Sequence, residues 1–181
     1  MKLSMIMGLG PNNELGIGNE LCYNSLADLK WFKFLTTGSN VIMGYKTWLS
    51  LNKKPLPNRM NIVLKKKEHE HDEVTIEDGV HFIYIMETDT AEDVLHRIFR
   101  NFDCYYRDIF IIGGANTYQL FENEVNQVYI TRFKQPCDKA TVYYDPKLEG
   151  YRKVEYPIEF FNETVQEEIE GFYRYYKQRL K

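Results

Sequence analysis

The sequence predicts an α/β fold with a mixed, mainly parallel central sheet flanked by helices and an antiparallel C-terminal hairpin. Two observations carry this prediction. Up to Phe121, short apolar runs alternate with amphipathic runs of helical period, and parallel strands need such crossover connections. The remainder is rich in aromatic and β-branched residues and has β-like patterning without a clear helix.

The N-terminal segment predicts a strand, a long loop and a helix. LSMIMGL is a short apolar run that ends in the turn-forming stretch GPNNELGIGN, so a buried strand feeds a loop. A helix follows, which Asn24 or Ser25 can cap, and Asp28 stands three residues after Ser25 in a spacing that resembles a capping box. Thr37 and Gly38 end this helix, whose apolar face is predicted to consist of Leu26, Leu29, Trp31, Phe32 and Leu35.

Three further strands and two helices are predicted over the middle of the chain. The strands are the apolar runs NVIMG, MNIVL and HFIYIM. A proline-bearing loop, KKPLPNR, and a charged loop, KKKEHEHDE, separate them. The first helix is the short YKTWLSL. The second is TAEDVLHRIFRNF, with an inward stripe of Val94, Leu95, Ile98, Phe99 and Phe102.

The C-terminal third begins with a strand from Ile109 to Ile112, which enters two glycines before a helix near Asn116. The segments QVYITRF, ATVYY, KVEYPIEFF, ETVQEEI and FYRYYKQRL are then all β-like. The last two are linked by Glu170-Gly171, so we expect them to form an antiparallel hairpin at one edge of the sheet.

Length, charge and cysteine usage exclude several classes of protein. A chain of 181 residues predicts a single domain over residues 1–181. The net charge of −3 argues against a dedicated nucleic-acid binder. No apolar run approaches the roughly 20 residues that cross a bilayer, and no signal peptide is recognised, so we expect a cytoplasmic protein without a membrane partner. Three cysteines without a CxxC pair indicate reduced thiols.

Asp28 is the first candidate for chemistry. At 100° per residue it shares a helical face with Trp31, Phe32 and Leu35, where a carboxylate loses hydration unless something bonds it. One interpretation is an acid that caps the first helical turn. The other is a pocket carboxylate that accepts two hydrogen bonds from an amidine-like heterocycle edge.

Two glycine turns are the next candidates. Gly113 and Gly114 lie between a strand and a helix, where backbone N–H groups can approach a phosphate closely. Gly44, followed by Lys46 and Thr47, is a second such turn. Tight turns of this kind are common in α/β proteins and the full GxGxxG pattern is absent, so simple turn geometry remains the alternative.

Basic and histidine side chains complete the candidates. Arg59 can fork onto a ligand carboxylate, although a lone loop arginine is more often solvated. Residues 65–67 are a lysine run whose default interpretation is a solvated surface. His69 and His71 flank Glu70 without a third ligand at a suitable spacing, so no metal site is expected.

Taken in order, NSLADLKWFK, VIMGYKTWLSL, KPLPNRMNIVL, FIIGGANTYQLF and VYITRF resemble the dihydrofolate reductase family. The stretch ELGIGNELCYN is similar to the flexible active-site loop of that family. The resemblance spans nearly the whole chain and implies the family's fold, a monomer, the cofactor NADPH and the substrate 7,8-dihydrofolate. The implied reaction is hydride transfer to pterin C6 with protonation at N5, which gives tetrahydrofolate.

The resemblance also assigns roles to residues of this chain. The catalytic group would be Asp28, which holds the pterin edge, with Thr131, Tyr118 and Tyr23. The substrate would contact Met5, Met7, Asp28, Phe32, Leu51, Leu56, Arg59, Ile112 and Thr131. The cofactor would contact Met7, Leu15, Gly16, Gly44, Lys46, Thr47, Leu64, Lys65, Gly113, Gly114, Ala115, Asn116, Thr117 and Tyr118. Lys46 and Lys65 are the candidates for its 2′-phosphate.

Some positions depart from the family pattern. Cys22-Tyr23 replaces the usual Pro-Trp of the active-site loop, Leu26 replaces a proline, and Tyr45 and Asn116 stand where basic residues are usual. Ala140 aligns with an acid that often anchors the loop. Two other functions therefore stay open: a reductase of riboflavin synthesis, against which Asp28 argues, and a non-catalytic folate- or nucleotide-binding or structural protein of the same fold.

Overall fold

The computed structural model describes residues 1–67, 74–103, 106–157 and 168–177. Its strands are β1 Leu3–Leu9, β2 Glu14–Ile17, β3 Glu20–Leu21, β4 Asn40–Gly44, β5 Met60–Lys66, β6 Val74–Glu77, β7 Val80–Ile85, β8 Ile109–Ile111, β9 Gln127–Phe133, β10 Val142–Tyr143, β11 Tyr151–Tyr156 and β12 Ile169–Lys177. Its helices are α1 Leu26–Thr36, α2 Tyr45–Ser50, α3 Ala91–Asn101 and α4 Ala115–Phe121.

The predicted mixed sheet is confirmed. Nine strands form one sheet in the order β11-β12-β9-β1-β8-β4-β5-β7-β6. The pairs from β9 through β1, β8, β4 and β5 to β7 are parallel. Both edges are antiparallel, through β11, β12 and β9 on one side and β6 and β7 on the other. Helices connect β1 to β4, β4 to β5, β7 to β8 and β8 to β9, as crossovers within a parallel sheet require. The chain between the parallel strands β5 and β7 contains the strand β6 instead.

Apolar side chains of the sheet divide into two clusters, because successive residues of a strand point to opposite faces. Met5, Met7 and Leu9 of β1 belong to a cluster that includes residues of α3 and α4. Ile6, on the other face, belongs to a cluster that includes residues of α1 and α2. Each face of the sheet is therefore covered by two helices, which is why strands such as β4 and β8 are apolar throughout.

Several local predictions are wrong in detail. Leu26 and Leu29 are exposed rather than inward. The buried face of α1 contains Ala27 and Trp31 instead, and the two leucines lie outside it. Part of the predicted N-terminal loop forms β2 and β3, which join β10 in a separate three-stranded sheet. The edge strand β6 was not predicted. Its sequence VTIE alternates apolar and polar residues, but a run of four residues directly after a charged loop is a weak strand signal.

The antiparallel pair at the C-terminal edge is confirmed, but its predicted turn is wrong. β12 runs through Glu170-Gly171 with a shift of register there against β9, and its antiparallel edge partner is β11. A glycine inside a strand marks such a bulge as well as a turn. Most of ETVQEEI, the charged loop with His69 and His71, and Cys104 lie outside the described residues.

The longest helices, α1 and α3, have 11 residues each. None of the helices in the described part of the chain is long and apolar enough to cross a bilayer.

Candidate active site

A crevice is expected where β1 and β8 meet, because the chain leaves these neighbouring strands in opposite directions. From β1 the chain passes through α1 to β4, beyond β8, whereas from β8 it passes through α4 to β9, beyond β1. The ladder between β1 and β8 ends at Met5 and Ile111, while β1 continues beside β9 to Leu9. Ligands of open α/β sheets bind at such points, outside the carboxyl ends of the strands.

Asp28 faces this crevice from the first turn of α1. Ser25 caps the helix by accepting a hydrogen bond from the backbone N–H of Asp28 at 3.4 Å. The carboxyl group of Asp28 is bonded instead by the hydroxyl of Thr131. Burial raises the pKa of Asp28, and the hydrogen bond from Thr131 offsets only part of that rise. The capping role therefore belongs to Ser25, and Asp28 is an enclosed acid.

The strands beneath Asp28 explain its enclosure. Gly8 of β1 pairs with Thr131 of β9. A Cβ atom at Gly8 would lie 3.6 Å from Oδ2 of Asp28 and 3.0 Å from the ring of Phe133. The absent side chain at Gly8 thus lets the carboxyl group settle against the strand pair, beside an aromatic wall.

Phe32 lies further along α1, and Arg59 approaches it from the loop before β5. Phe32 packs at the edge of the cluster on the α1 face, and the guanidinium carbon of Arg59 lies 5.8 Å from the centre of its ring. The Arg59 side chain donates to the Thr36 hydroxyl at 2.9 Å and to the Pro57 carbonyl at 3.0 Å. The arginine is therefore held in place beside an aromatic face, with part of its donor fork uncommitted.

The predicted apolar lining is brought together only in part. Leu51, Leu56 and Ile112 pack at the edge of the α1-face cluster, as Phe32 does. Met5 and Met7 do not join them, since their side chains are buried in the cluster on the opposite face of the sheet. Ile6 is the β1 side chain on the Asp28 face. The period of two along the strand separates Ile6 from Met5 and Met7, but which of the two sets faces Asp28 is decided by the packing.

The two glycine turns come together at the same edge of the sheet. The N–H of Gly44 donates to the carbonyl of Gly113 at 2.7 Å. A Cβ atom at Gly44 would lie 2.7 Å from Oγ1 of Thr117, and one at Gly114 would lie 3.6 Å from Oγ1 of Thr47. Gly113 has a φ of +116°, a conformation that glycine adopts without strain. These turns form one cradle of backbone N–H groups and threonine hydroxyls.

Tyr118 closes the base of the crevice. Its hydroxyl donates to the carbonyl of Ile6 at 2.8 Å, and the side chain is buried. Burial raises the pKa of Tyr118, and the neighbouring Tyr144 and Asp28 add to the rise. Tyr118 is therefore a neutral hydrogen-bond donor that joins α4 to β1.

The two lysines near the cradle differ in exposure and in their aromatic contacts. Lys46 is exposed on α2, next to the cradle. The ammonium of Lys65 lies 5.6 Å from the ring centre of Tyr45 and 5.5 Å from that of Tyr84. The tyrosine that replaces the usual arginine therefore positions a lysine instead. Asn116 is exposed, and the side chain of Leu64 is buried in the core, so Leu64 offers a cofactor only its backbone.

The active-site loop, residues 10–24, is held by β9 and by residues 134–141, the segment between β9 and β10. Arg132 donates to the carbonyl of Gly10 at 2.6 Å. Thr141 accepts from the N–H of Gly18 at 2.7 Å, and its own N–H donates to Gly16 at 2.9 Å. Ala140 carries no acid, and the neighbouring Thr141 supplies the anchor instead. Leu15 packs partly against the core cluster beside this anchor.

Tyr23 takes part in this anchoring. Its ring stacks on Phe133 with 4.0 Å between centres, and its hydroxyl donates to the carbonyl of Gln135 at 2.9 Å. Burial, followed by the nearby Glu14 carboxylate, raises the pKa of Tyr23. The structure directs the Tyr23 hydroxyl to the 134–141 segment, and its catalytic role stays a prediction.

Glu14 was missed by the sequence analysis. Its carboxylate is buried and accepts hydrogen bonds from the backbone and side chain of Asn12, at 2.8 and 3.0 Å. Burial acts to raise the pKa of Glu14, but backbone and side-chain hydrogen bonds, including one from the backbone of Cys137, outweigh it and lower the pKa. An acid within a loop gives no periodic signal, so only the fold identifies it as an anchor.

No cluster of three or more histidine, cysteine, aspartate or glutamate side chains within the described ranges is arranged to hold a metal ion. The polar groups assigned to the crevice are Asp28 with Thr131, Tyr118, Arg59 and the glycine cradle.

Comparisons with known proteins agree with this geometry. A family profile described as "Dihydrofolate reductase" matches residues 2–175. The dihydrofolate reductase of Haemophilus influenzae is 30% identical over 166 residues, which cover 86% of this chain and 91% of that protein. The dihydrofolate reductase of Buchnera aphidicola subsp. Acyrthosiphon pisum is 34% identical over 131 residues, which cover 72% and 71%.

A solved structure of dihydrofolate reductase from Enterococcus faecalis, complexed with NADP(H) and RAB-propyl, has the same fold. It superposes with a TM-score of 0.73 over 98% of this chain and 96% of that one, at 19% identity. The family profile and the curated relatives confirm the resemblance seen in the motifs. The chain therefore belongs to the dihydrofolate reductase family, and its assignment as an enzyme of that family is confirmed.

Proposed function

We propose that this protein reduces 7,8-dihydrofolate to 5,6,7,8-tetrahydrofolate with NADPH. The observation that carries the proposal is the enclosed carboxyl group of Asp28, bonded by Thr131 above Gly8 at the switch point of the sheet. An acid placed there can accept two hydrogen bonds from the amidine-like edge of a pterin. The glycine cradle at the same edge of the sheet suits a second, phosphate-bearing ligand.

The substrate would lie with its pterin against Asp28 and its glutamate tail toward Arg59. Thr131 would support the same pterin edge as Asp28, and Phe32 would pack on the rings between the two charged groups. Because Arg59 already donates to Thr36 and Pro57, its guanidinium is oriented before a carboxylate arrives. This preorganisation reduces the entropy that is lost on binding.

The residues of the cradle fit NADPH. Backbone atoms approach closely at Gly44 and Gly113, and side chains at Gly44 would collide with Thr117. Such a surface accepts a pyrophosphate near N–H groups and hydroxyls. Thr47 and Thr117 would hold the pyrophosphate. Lys65, placed between two tyrosine rings, would bind the 2′-phosphate together with Lys46, and Leu15 would offer backbone groups to the carboxamide.

NADPH supplies the hydride that reduces pterin C6. Asp28 polarises the ring through its charge, and in a poorly hydrated crevice that charge acts more strongly than in water. This raises the basicity of N5, so a proton delivered by water is held there, and Asp28 does not need to reach N5 itself. The active-site loop would exclude bulk water while the ring carries positive charge.

The test is NADPH oxidation by the purified chain with dihydrofolate, followed at the nicotinamide absorbance band, with and without methotrexate. We expect methotrexate-sensitive oxidation and slower oxidation of NADH, since NADH lacks the phosphate for Lys65. Asp103, which is exposed, provides a matched control: Asp103→Asn should retain the rate that Asp28→Asn loses.

Binding of NADPH or folate without turnover would contradict the proposal and favour a non-catalytic protein of this fold. Reduction of a riboflavin-pathway intermediate in place of dihydrofolate would contradict it in favour of the other reductase. A monomer in the cytoplasm stays a prediction.

A further inference from the structure

Two cysteines that are far apart in the sequence meet beside the active-site loop. Cys22 lies between β3 and α1, at the end of that loop, and Cys137 lies in the 134–141 segment. Both are half-buried and free. The Tyr23 hydroxyl donates to the carbonyl of Gln135, which brings the two chain segments together, and the Cys137 thiol lies close enough to Cys22 to help raise its pKa. The expectation of isolated reduced thiols therefore misses a contact that only the tertiary structure creates.

The backbone on both sides of this thiol pair is held in place. Next to Cys22, Tyr23 stacks on Phe133 and donates to the carbonyl of Gln135. Next to Cys137, the buried Glu14 accepts a hydrogen bond from the Cys137 backbone. Because these contacts fix both chain segments, the two sulfur atoms stay close without the entropy loss that usually opposes ring closure.

We propose that Cys22 and Cys137 are a redox-active pair that a small-molecule disulfide, such as oxidised glutathione, converts to an intramolecular disulfide. This bond would tie the active-site loop to the 134–141 segment. It adds a covalent link to the anchors that Arg132 and Thr141 already provide.

The exchange balances in two steps. One cysteine thiolate attacks the small disulfide, forms a mixed disulfide and releases one small thiol. The second cysteine thiolate attacks the mixed disulfide, forms the Cys22–Cys137 bond and releases the second small thiol. The protein loses two electrons and two protons, and the small disulfide is reduced to two thiols.

The surroundings of the pair make the reaction slow at neutral pH. Burial, then the Cys137 thiol and the Glu14 carboxylate, raise the pKa of Cys22 to about 12. The other titratable groups around the pair are Tyr23 and Arg132. Since the thiolate is the attacking species, we expect the exchange to accelerate as the pH rises. Slow exchange suits a site that responds to sustained oxidation rather than to brief exposure.

The consequence for turnover rests on the proposed function, whereas formation of the bond does not. If the active-site loop must open to release product, a covalent tie to the 134–141 segment slows each turnover. The oxidised chain should also unfold at a higher temperature, because the cross-link restricts the unfolded state.

The experiment uses the full chain with Cys104 replaced by serine, treated with oxidised glutathione and then with dithiothreitol. We expect the intact mass to fall by two hydrogen atoms and peptide mapping to join Cys22 to Cys137. The unfolding midpoint should rise on the order of 10 °C. The steady-state rate of NADPH oxidation should fall several-fold, and dithiothreitol should restore both values.

Cys22→Ser and Cys137→Ser in the same background are the matched controls, and neither should respond in rate or unfolding midpoint. Glutathione adducts without a Cys22–Cys137 link would overturn the proposal, as would a link that leaves both the rate and the midpoint unchanged. If the chain does not turn over dihydrofolate at all, the mass and the unfolding midpoint still decide whether the pair forms.

Discussion

Replacing Asp28 by asparagine removes the charge of the candidate site while retaining its shape and an acceptor for Thr131. We expect kcat/KM for dihydrofolate to fall near neutral pH, because a pterin edge would lose a charged partner in a buried setting. Truncating one side of a buried hydrogen-bonded charge pair costs about 2–5 kcal/mol. That range corresponds to roughly 30- to 5,000-fold in kcat/KM. NADPH affinity should change little, since the glycine cradle is built from other residues.

The same substitution should stabilise the fold at neutral pH. Burial raises the pKa of Asp28 above the ordinary 3.8, so the folded state binds this proton more tightly than the unfolded state does. Its contribution to the free energy of unfolding is largest below the unfolded pKa and is lost as the pH rises through the folded pKa. Asparagine cannot ionise, so the variant should unfold at a higher temperature than the natural chain at pH 7, with the difference shrinking in acid.

The assay combines three measurements on Asp28→Asn, the natural chain and the control Asp103→Asn. These are kcat/KM for dihydrofolate as a function of pH, NADPH affinity by fluorescence, and the unfolding midpoint at neutral and acidic pH. The natural chain should lose activity as the pH falls through the raised pKa of Asp28. The assignment would be refuted if kcat/KM of the variant stayed within about threefold of that of the natural chain. The free-energy cost of such a change lies well below the expected minimum of about 2 kcal/mol. A loss that Asp103→Asn shares would also refute the assignment.

Three further substitutions test other parts of the site. Arg59→Gln should raise KM for dihydrofolate by roughly 10- to 150-fold, which is the equivalent of a lost charge-assisted hydrogen bond. KM should stay unchanged for a pterin without the glutamate tail. Equal effects on both substrates would contradict a contact between Arg59 and the tail. Gly44→Ala places a Cβ atom 2.7 Å from Oγ1 of Thr117, so NADPH affinity measured by fluorescence should weaken and the fold lose about 1–3 kcal/mol; an unchanged dissociation constant would argue against the cradle. Tyr118→Phe removes the hydroxyl that donates to the Ile6 carbonyl at 2.8 Å. It should lower the free energy of unfolding by about 1–3 kcal/mol, which is measured as a lower midpoint of thermal unfolding. An unchanged midpoint would show that water replaces the hydroxyl.

Local patterns were sufficient for most of the fold. The runs that became β1, β4, β5 and β8 are predominantly apolar, because a parallel strand covered by helices on both faces has no solvent-facing side. Of the two predicted caps, Asn24 and Ser25, the structure uses Ser25, and such a cap is predictable because it depends on hydrogen bonds within one turn. The approach of Gly44 to Gly113 also followed from pattern, because parallel strands place their carboxyl ends at one edge.

The same uniform apolarity concealed which side chains face the site. In β1, Met5, Ile6 and Met7 are all apolar, so the sequence contains no contrast that would assign Ile6 to the Asp28 face and the methionines to the other. The alternation along a strand is certain, but its phase depends on which helix covers which face. That choice is made by the packing of α1 and α4 on opposite sides.

The sequence by itself determined the α/β class, the order of the main strands and helices, the family, and the acid, arginine and glycines that form the candidate site. These features follow from interactions between residues close in the chain, or from motifs that span a few residues. Only the tertiary structure decided that Glu14 anchors the active-site loop, that the Tyr23 hydroxyl donates to Gln135, and that Cys22 lies near Cys137. Those contacts join segments that are far apart in the sequence. Local propensities describe only neighbouring residues, so they cannot predict which distant segments meet in the fold.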